Sequence, residues 1–248
     1  MAGWFHQRSA FSVTAASGLA VAVFLIGPLL VGQLPNQRFL VWNLALAWIP
    51  YVAALGLDLF DRARRPLAAL AAATVWLLFL PNAPYLVSDL THLHRASNTP
   101  WLELARLVAF AWAGCMLAVA SLRIVHRVVA DRCGWLAGWA AVFTAAGVSG
   151  VGVVIGRFAR LNSWEALTHP TVVAAEAIRV AGSRQGLAFA VFFTLLVLVV
   201  YAGLGGAAGS ARALKPVGPR RTSCGTAPAL ERSPPRRQGR RGRRAREG

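Results

Sequence analysis

Charge is scarce in this chain. Only 14% of its 248 residues are Asp, Glu, Lys or Arg, and only nine are acidic. Soluble domains carry about 25% charged residues and interrupt their apolar runs sooner. With 56% hydrophobic residues, the composition excludes a soluble globular domain and predicts an integral membrane protein. Cysteine is scarce as well. Cys115, Cys133 and Cys224 lie far apart, with no Cys-x-x-Cys spacing, which excludes a disulfide framework and leaves small, apolar packing roles. No internal repeat is visible, so nothing supports a transporter built from inverted repeats.

What is present is a series of apolar runs, several near the ~20 residues that a spanning helix needs. Six spans are expected, Phe11–Val31, Phe39–Phe60, Leu67–Leu80, Leu104–Leu122, Trp135–Val154 and Leu187–Leu204. The fold class is an all-α polytopic membrane helix bundle. A short cytoplasmic head, 1–10, precedes a transmembrane domain over 11–208 and a disordered Arg/Pro/Gly-rich tail over 209–248. The first run is longer than the apolar core of a signal peptide and lacks a small-residue cleavage site, which favours a retained helix. Between the last two spans, Arg157–Gly186 is too polar to cross, and its part Pro170–Ala181 reads as a short helix lying at the interface.

The formal charge of +17 is unevenly spread. Twelve basic residues follow residue 211 against Glu231 and Glu247, in a segment with too little apolar surface to offset the entropy of ordering. Attraction to anionic lipid headgroups is one reading of that tail. A functionless extension is another, and the lack of interleaved aromatics argues against a nucleic-acid arm. Arginines in the inter-span segments divide equally between the two sides. Arg212, Lys215, Arg220 and Arg221 behind the last span then favour both termini in the cytoplasm of a bacterial cell. The lipid bilayer is the expected surrounding, and the oligomeric state is left open.

The alternation of spans places four segment ends on one side, expected to be extracytoplasmic. They hold most of the unusual polar residues: Asn36, Arg38, Trp42 and Asn43; Asn82, Tyr85, Asp89 and His92; Trp101, Glu103 and Arg106; Arg157, Arg160, Asn162, Ser163, Trp164 and Glu165. The segment Pro81–Leu93 is the most unusual, because two prolines and an asparagine interrupt an uncharged run. Backbone of this kind survives at membrane depth only where protein or a water-filled cavity covers it. The expected arrangement is a span ending at Pro81, a turn, and a new helix with Pro84 in its first turn. Tyr85, Asp89 and His92 would then share one stripe.

An Asp three residues before a His can hold the imidazole and raise its basicity, as for a general base or metal ligand. His94 extends the pattern to Asp-x-x-His-x-His. Only His169 lies on the same side, so capping or pairing by Asp89 is favoured over a metal site, and no cofactor is expected. Arg157 and Arg160, three apart, would share a face with Trp164, and neither has an acid four residues away. They call for Asp89, Glu103 or Glu165 as partners, or for an anionic ligand, and pairing is the favoured reading. Gly147-Val148-Ser149-Gly150 has the form of the rhomboid protease nucleophile motif. The last span lacks the histidine that would activate the serine, and Gly152-x-x-x-Gly156 follows, so close packing accounts for the stretch.

Three ordered motifs resemble domain of unknown function family 1361, a bacterial multi-pass membrane family. They are Trp42-Asn43-Leu44-x-Leu46-Ala47-Trp48-Ile49-Pro50, Phe79-Leu80-Pro81-Asn82-Ala83-Pro84-Tyr85 with Asp89 and His92-Leu93, and Gly156-Arg157-Phe158-x-Arg160-x-Asn162-Ser163-Trp164. The resemblance covers about residues 35–205, leaving out the first thirty residues and the tail. Glu103 and Glu165 stand where the family usually has Asp, Leu102 where it has an aromatic, and Ser88 where it has Thr. It implies a fold and a location but no activity, and it assigns no catalytic residue.

The candidate polar site is therefore Asn43, Asn82, Tyr85, Asp89, His92, Glu103, Arg157, Arg160, Asn162, Trp164 and Glu165. The expected function is binding of a small anionic molecule or a lipid headgroup, for transport or envelope chemistry. The alternative is a non-catalytic structural or assembly component of a membrane complex.

Overall fold

A long helix rich in small residues forms the axis of the molecule. In a computed structural model it runs Pro100–Cys133 and buries Ala111, Ala113, Gly114, Ala118, Ala120 and Ser121 along its length. Small side chains let neighbouring backbones approach closely, which is how helices pack where water supplies no drive between them. The structure describes the backbone of residues 2–31, 38–94 and 100–213, and side chains over 10–26, 38–93 and 100–204. Asn36, the His94 side chain, Arg95, Cys224 and the expected disorder of the tail lie outside the described residues.

In chain order the helices are α1 (Ala2–Val31), α2 (Phe39–Arg62), α3 (Pro66–Phe79), α4 (Asn82–Ser88) and the axial α5 (Pro100–Cys133). Then come α6 (Trp135–Val154), the short α7 (Glu165–Thr168), α8 (Pro170–Gly182) and α9 (Arg184–Ala213). A 3-10 turn, Asp89–His94, extends α4, and a π turn, Ile155–Ala159, extends α6. Helix α5 packs against α1, α2, α4, α6 and α9, while α2 pairs with α3 and α6 with α9. Among the described residues every element is helical, as the composition implied.

Five helical segments are long and apolar enough to cross a membrane: Phe39–Arg62, Pro66–Leu93, Pro100–Cys133, Trp135–Ala159 and Arg184–Leu204. They correspond to five of the six expected spans. In α1 the apolar part with described side chains is Ala10–Ile26, shorter than the other five. Helix α9 continues to Ala213, past the boundary drawn at 208.

The break expected at Pro81 is instead a bend within one span. Leu80 (φ −53°, ψ −39°) and Pro81 (φ −58°, ψ −25°) keep helical dihedrals, and the next helix starts at Asn82 rather than Pro84. Each proline removes a backbone donor, so upstream carbonyls lose partners. The Ala83 N–H tightens onto the Leu80 carbonyl (3.1 Å), and the Tyr85 N–H bonds Pro81 (3.1 Å). The Phe79 carbonyl, which Ala83 would otherwise reach, accepts from the Asn82 side-chain amide at 3.0 Å. Asn82 thus repairs the helix that the prolines interrupt. Below the bend, α4 seats on α5 at Gly114, where a Cβ would stand 2.3 Å from the Ala83 carbonyl oxygen.

At the other end of the bundle two arginines are held by acids of α2. Arg62 pairs with Asp58 at 2.8 Å, and Arg132 with Asp61 at 2.7 Å.

Candidate polar site at one end of the bundle

Asp89 is 1% exposed, so its carboxylate needs internal partners. Two elements far away in sequence supply them. From the first turns of α2, Asn43 Nδ2 donates to Oδ2 at 3.0 Å. From the π turn after α6, Arg157 donates to Oδ1 at 3.4 Å and to the Thr91 hydroxyl. A π turn holds one more residue than an α turn, and Gly156 leaves room beside the Tyr85 ring, where a Cβ would lie 3.4 Å away. This bond set ties three spans together at one end.

His92 lies one 3-10 turn beyond Asp89. Its Nδ1 bonds the Asp89 backbone carbonyl at 3.1 Å, and the carboxylate is farther off at 3.9 Å. A carbonyl only accepts, so Nδ1 carries the proton and the main chain, not the expected carboxylate, orients the ring. The imidazole also packs on Phe39 at 4.9 Å between ring centroids.

Arg157 and Arg160 do not share a helix face, contrary to the reading from spacing. The π turn and a left-handed Arg160 (φ 57°, ψ 28°) reverse the chain between them. They still meet at the same space. A cavity of about 560 Å³ is lined by Asn43, Tyr85, Asp89, His92, Arg157 and Arg160, with Asn82 and Asn162 at its edge. Asn82 also donates to Ser163 at 2.7 Å, which fixes the loop after Arg160 to the bend. Arg160 makes no hydrogen bond or ion pair with any described residue, and neither does the Tyr85 hydroxyl.

Eight of the eleven sequence candidates line this cavity. Three do not. Glu165 accepts from the Asn162 backbone N–H, a local bond in the loop before α7. Trp164, at the start of that helix, is exposed. Glu103 lies on α5, one turn from the buried Arg106, and the entry of α5 contributes nothing to the lining. Phe39, Trp42, Leu46, Pro81, Gly152, Gly156, Leu161 and Ser163 complete the walls, and Thr91 holds Arg157 from outside them. Thr91 was legible only as a neighbour of Asp89.

Ser149 has no exposed surface, and its hydroxyl has no partner among the described residues. Next to it, a Cβ on Gly150 would stand 2.3 Å from the Ala190 carbonyl of α9. Helix contact accounts for the glycines here, and Gly152 likewise meets Pro81. Among the described residues no three of His, Cys, Asp and Glu converge as a metal group would require.

The fold and cavity define a multi-pass, all-helical membrane protein with a polar chamber at one end of the bundle. A family model described as "Protein of unknown function (DUF1361)" matches residues 42–200, and the chain belongs to that family. No curated protein and no solved structure matches it.

Proposed function

We propose that the chamber binds an anionic group, phosphate or carboxylate, with Arg160 and the Tyr85 hydroxyl as its free donors and Arg157 as a fixed second cation. The observation carrying this reading is the exposed Arg160 guanidinium, without a partner among the described residues, on the wall of a cavity whose other charges are paired. Guanidinium presents a planar fork of donors suited to such anions. Arg160 also holds a left-handed backbone that costs a non-glycine residue about 1–2 kcal/mol. Glycine would end the helix there with less strain, and Arg64 holds the same kind of backbone in the α2–α3 turn (φ 55°), so the position of Arg160 on the chamber wall, not its backbone alone, supports the reading.

The protein works in this reading in the bacterial cytoplasmic membrane, with both termini inside and the chamber facing outward. Single cysteines introduced at positions 97 and 168, in a background without the native ones, should react with an impermeant reagent in whole cells. Protection at both would reverse the orientation. Binding is tested by thermal unfolding of the full chain in detergent, with inorganic phosphate, glycerol 3-phosphate or glycerol added. Both phosphates should raise the midpoint and glycerol should not. Arg160→Gly should remove the response while leaving the basal midpoint equal or higher. A wild-type protein without an anion response, or a variant that keeps it, would refute the proposal.

A structural reading has one specific support, the saturated bonding of Asp89 to Asn43 and Arg157 across three spans. It accounts for those residues and leaves Arg160 unexplained.

A further inference from the structure

The chamber has an apolar neighbour. A cleft of about 660 Å³ lies between α3 and α6 with α8 over part of it, walled by Leu77, Leu78, Val148, Val151, Ile155 and Val173. It shares five residues with the chamber, Pro81, Gly152, Leu161, Asn162 and Ser163, so the two spaces meet at the bend. The polar side chains in its walls are occupied or stand at that junction. The Thr74 hydroxyl bonds the Leu70 carbonyl at 3.0 Å, and Ser163 accepts from Asn82. Clefts of roughly 300–1,000 Å³ with apolar walls and a few convergent polar groups suit drug-sized ligands.

We infer that the ligand is an amphiphile, a lipid with an anionic headgroup. Its headgroup sits against Arg160 and Tyr85, and one acyl chain lies in the cleft. This rests on the anion-binding reading and adds the substrate class. Two observations select a lipid over a free anion or a protein segment. The cleft lies between two segments that are long and apolar enough to span, Pro66–Leu93 and Trp135–Ala159, so acyl chains of the surrounding bilayer reach it sideways. At the bend it shares walls with the polar chamber, and a purely apolar helix seated there would leave Arg160 unused. An acyl chain moving from bilayer to cleft gains little hydrophobic energy, because both surroundings are apolar. The cleft therefore acts by position, holding a chain where its headgroup must enter the chamber.

Gly147 gives a test that spares the fold. It lines the cleft, and a Cβ built on it meets nothing within 4 Å. Gly147→Leu should narrow the cleft where an acyl chain would lie, its Cβ meeting no neighbour, and leucine also favours a helix over glycine. The full chain is purified in detergent, and native mass spectrometry follows binding of dioleoyl phosphatidic acid and dioleoyl phosphatidylcholine. Glycerol 3-phosphate, followed by thermal shift, reports the headgroup pocket alone. The wild type should retain phosphatidic acid in preference to phosphatidylcholine. Gly147→Leu should weaken phosphatidic acid at least tenfold and leave the glycerol 3-phosphate response unchanged, whereas Arg160→Gly should weaken both.

Unchanged phosphatidic acid binding in Gly147→Leu, with the glycerol 3-phosphate response intact, would overturn the amphiphile inference and leave anion binding standing. Equal retention of both lipids, insensitive to Arg160→Gly, would mean an annular lipid only and would overturn it too. Loss of a dimer in Gly147→Leu without a change in lipid binding would assign the cleft to a second copy and overturn it. Failure of every phosphate ligand on the wild type would remove the anion reading, and this inference with it.

Discussion

Asp89 and Arg157 form a charge pair of unequal burial, and that inequality predicts an asymmetric mutant cycle. Asp89 is 1% exposed, whereas the Arg157 side chain is 24% exposed and also holds Thr91. Arg157→Ala strands a buried carboxylate with Asn43 as its nearest donor, and breaking a buried pair in this way costs about 3–5 kcal/mol. Asp89→Asn removes the buried charge instead. Its amide oxygen can still accept from Asn43, and Arg157 can keep Thr91 and turn towards the chamber, so the cost is about 1–2 kcal/mol. With Asp89→Asn already present, Arg157→Ala loses only the Thr91 bond, about 1 kcal/mol more. The double variant should thus fall short of the summed single losses by about 2–4 kcal/mol, at the upper end of the range for residues in contact. Thermal unfolding in detergent should show a midpoint drop of about 10 °C for Arg157→Ala and less than half of that for Asp89→Asn. Equal single losses, or additivity within about 0.5 kcal/mol, would refute the pairing.

Two further substitutions probe the frame that carries the pair. Asn82→Ala should cost about 1–3 kcal/mol, since it leaves the Phe79 carbonyl and Ser163 without a shared donor, and an unfolding midpoint equal to wild type would show that the bend needs no repair. Gly114→Val places atoms 2.3 Å from the Ala83 carbonyl and must push α4 off α5, at a cost of about 1–3 kcal/mol. An unaffected midpoint and an unaffected phosphate response in Gly114→Val would contradict the close approach that positions the chamber.

The spans and the polar face were legible because both follow from residue type alone. Runs of apolar residues have one meaning in this composition, and the alternation of spans fixes which ends share a side. The geometry between charged residues was less legible. Spacing put Arg157 and Arg160 on one helical face, but the π turn at Gly156 and the left-handed Arg160 replaced that face with a reversal. The prolines read as a helix end, yet Asn82 satisfies the Phe79 carbonyl that the tightened turn leaves free, and only the fold shows which carbonyl it reaches. Glu103 and Glu165 looked like partners for the arginines because acids are few. Glu165 turned out to satisfy a local amide one turn back. Local capping and long-range pairing call for the same residue types, so sequence does not separate them.

The two readings of the site divide by residue rather than compete for all of it. Asp89, Asn43 and Thr91 hold Arg157, and their bonding joins α2, the bent span and the end of α6. A purely structural joint would stop there, with every charge paired and no strain left over. Arg160 goes further. It adds a second cation at an arginine backbone that glycine would adopt more easily, beside a tyrosine hydroxyl with no partner among the described residues. A guanidinium with no partner among the described residues, next to an ion pair, raises the local positive potential, which the anion of the proposed function would offset. On that proposal the joint fixes the chamber and Arg160 is the group that receives the anion.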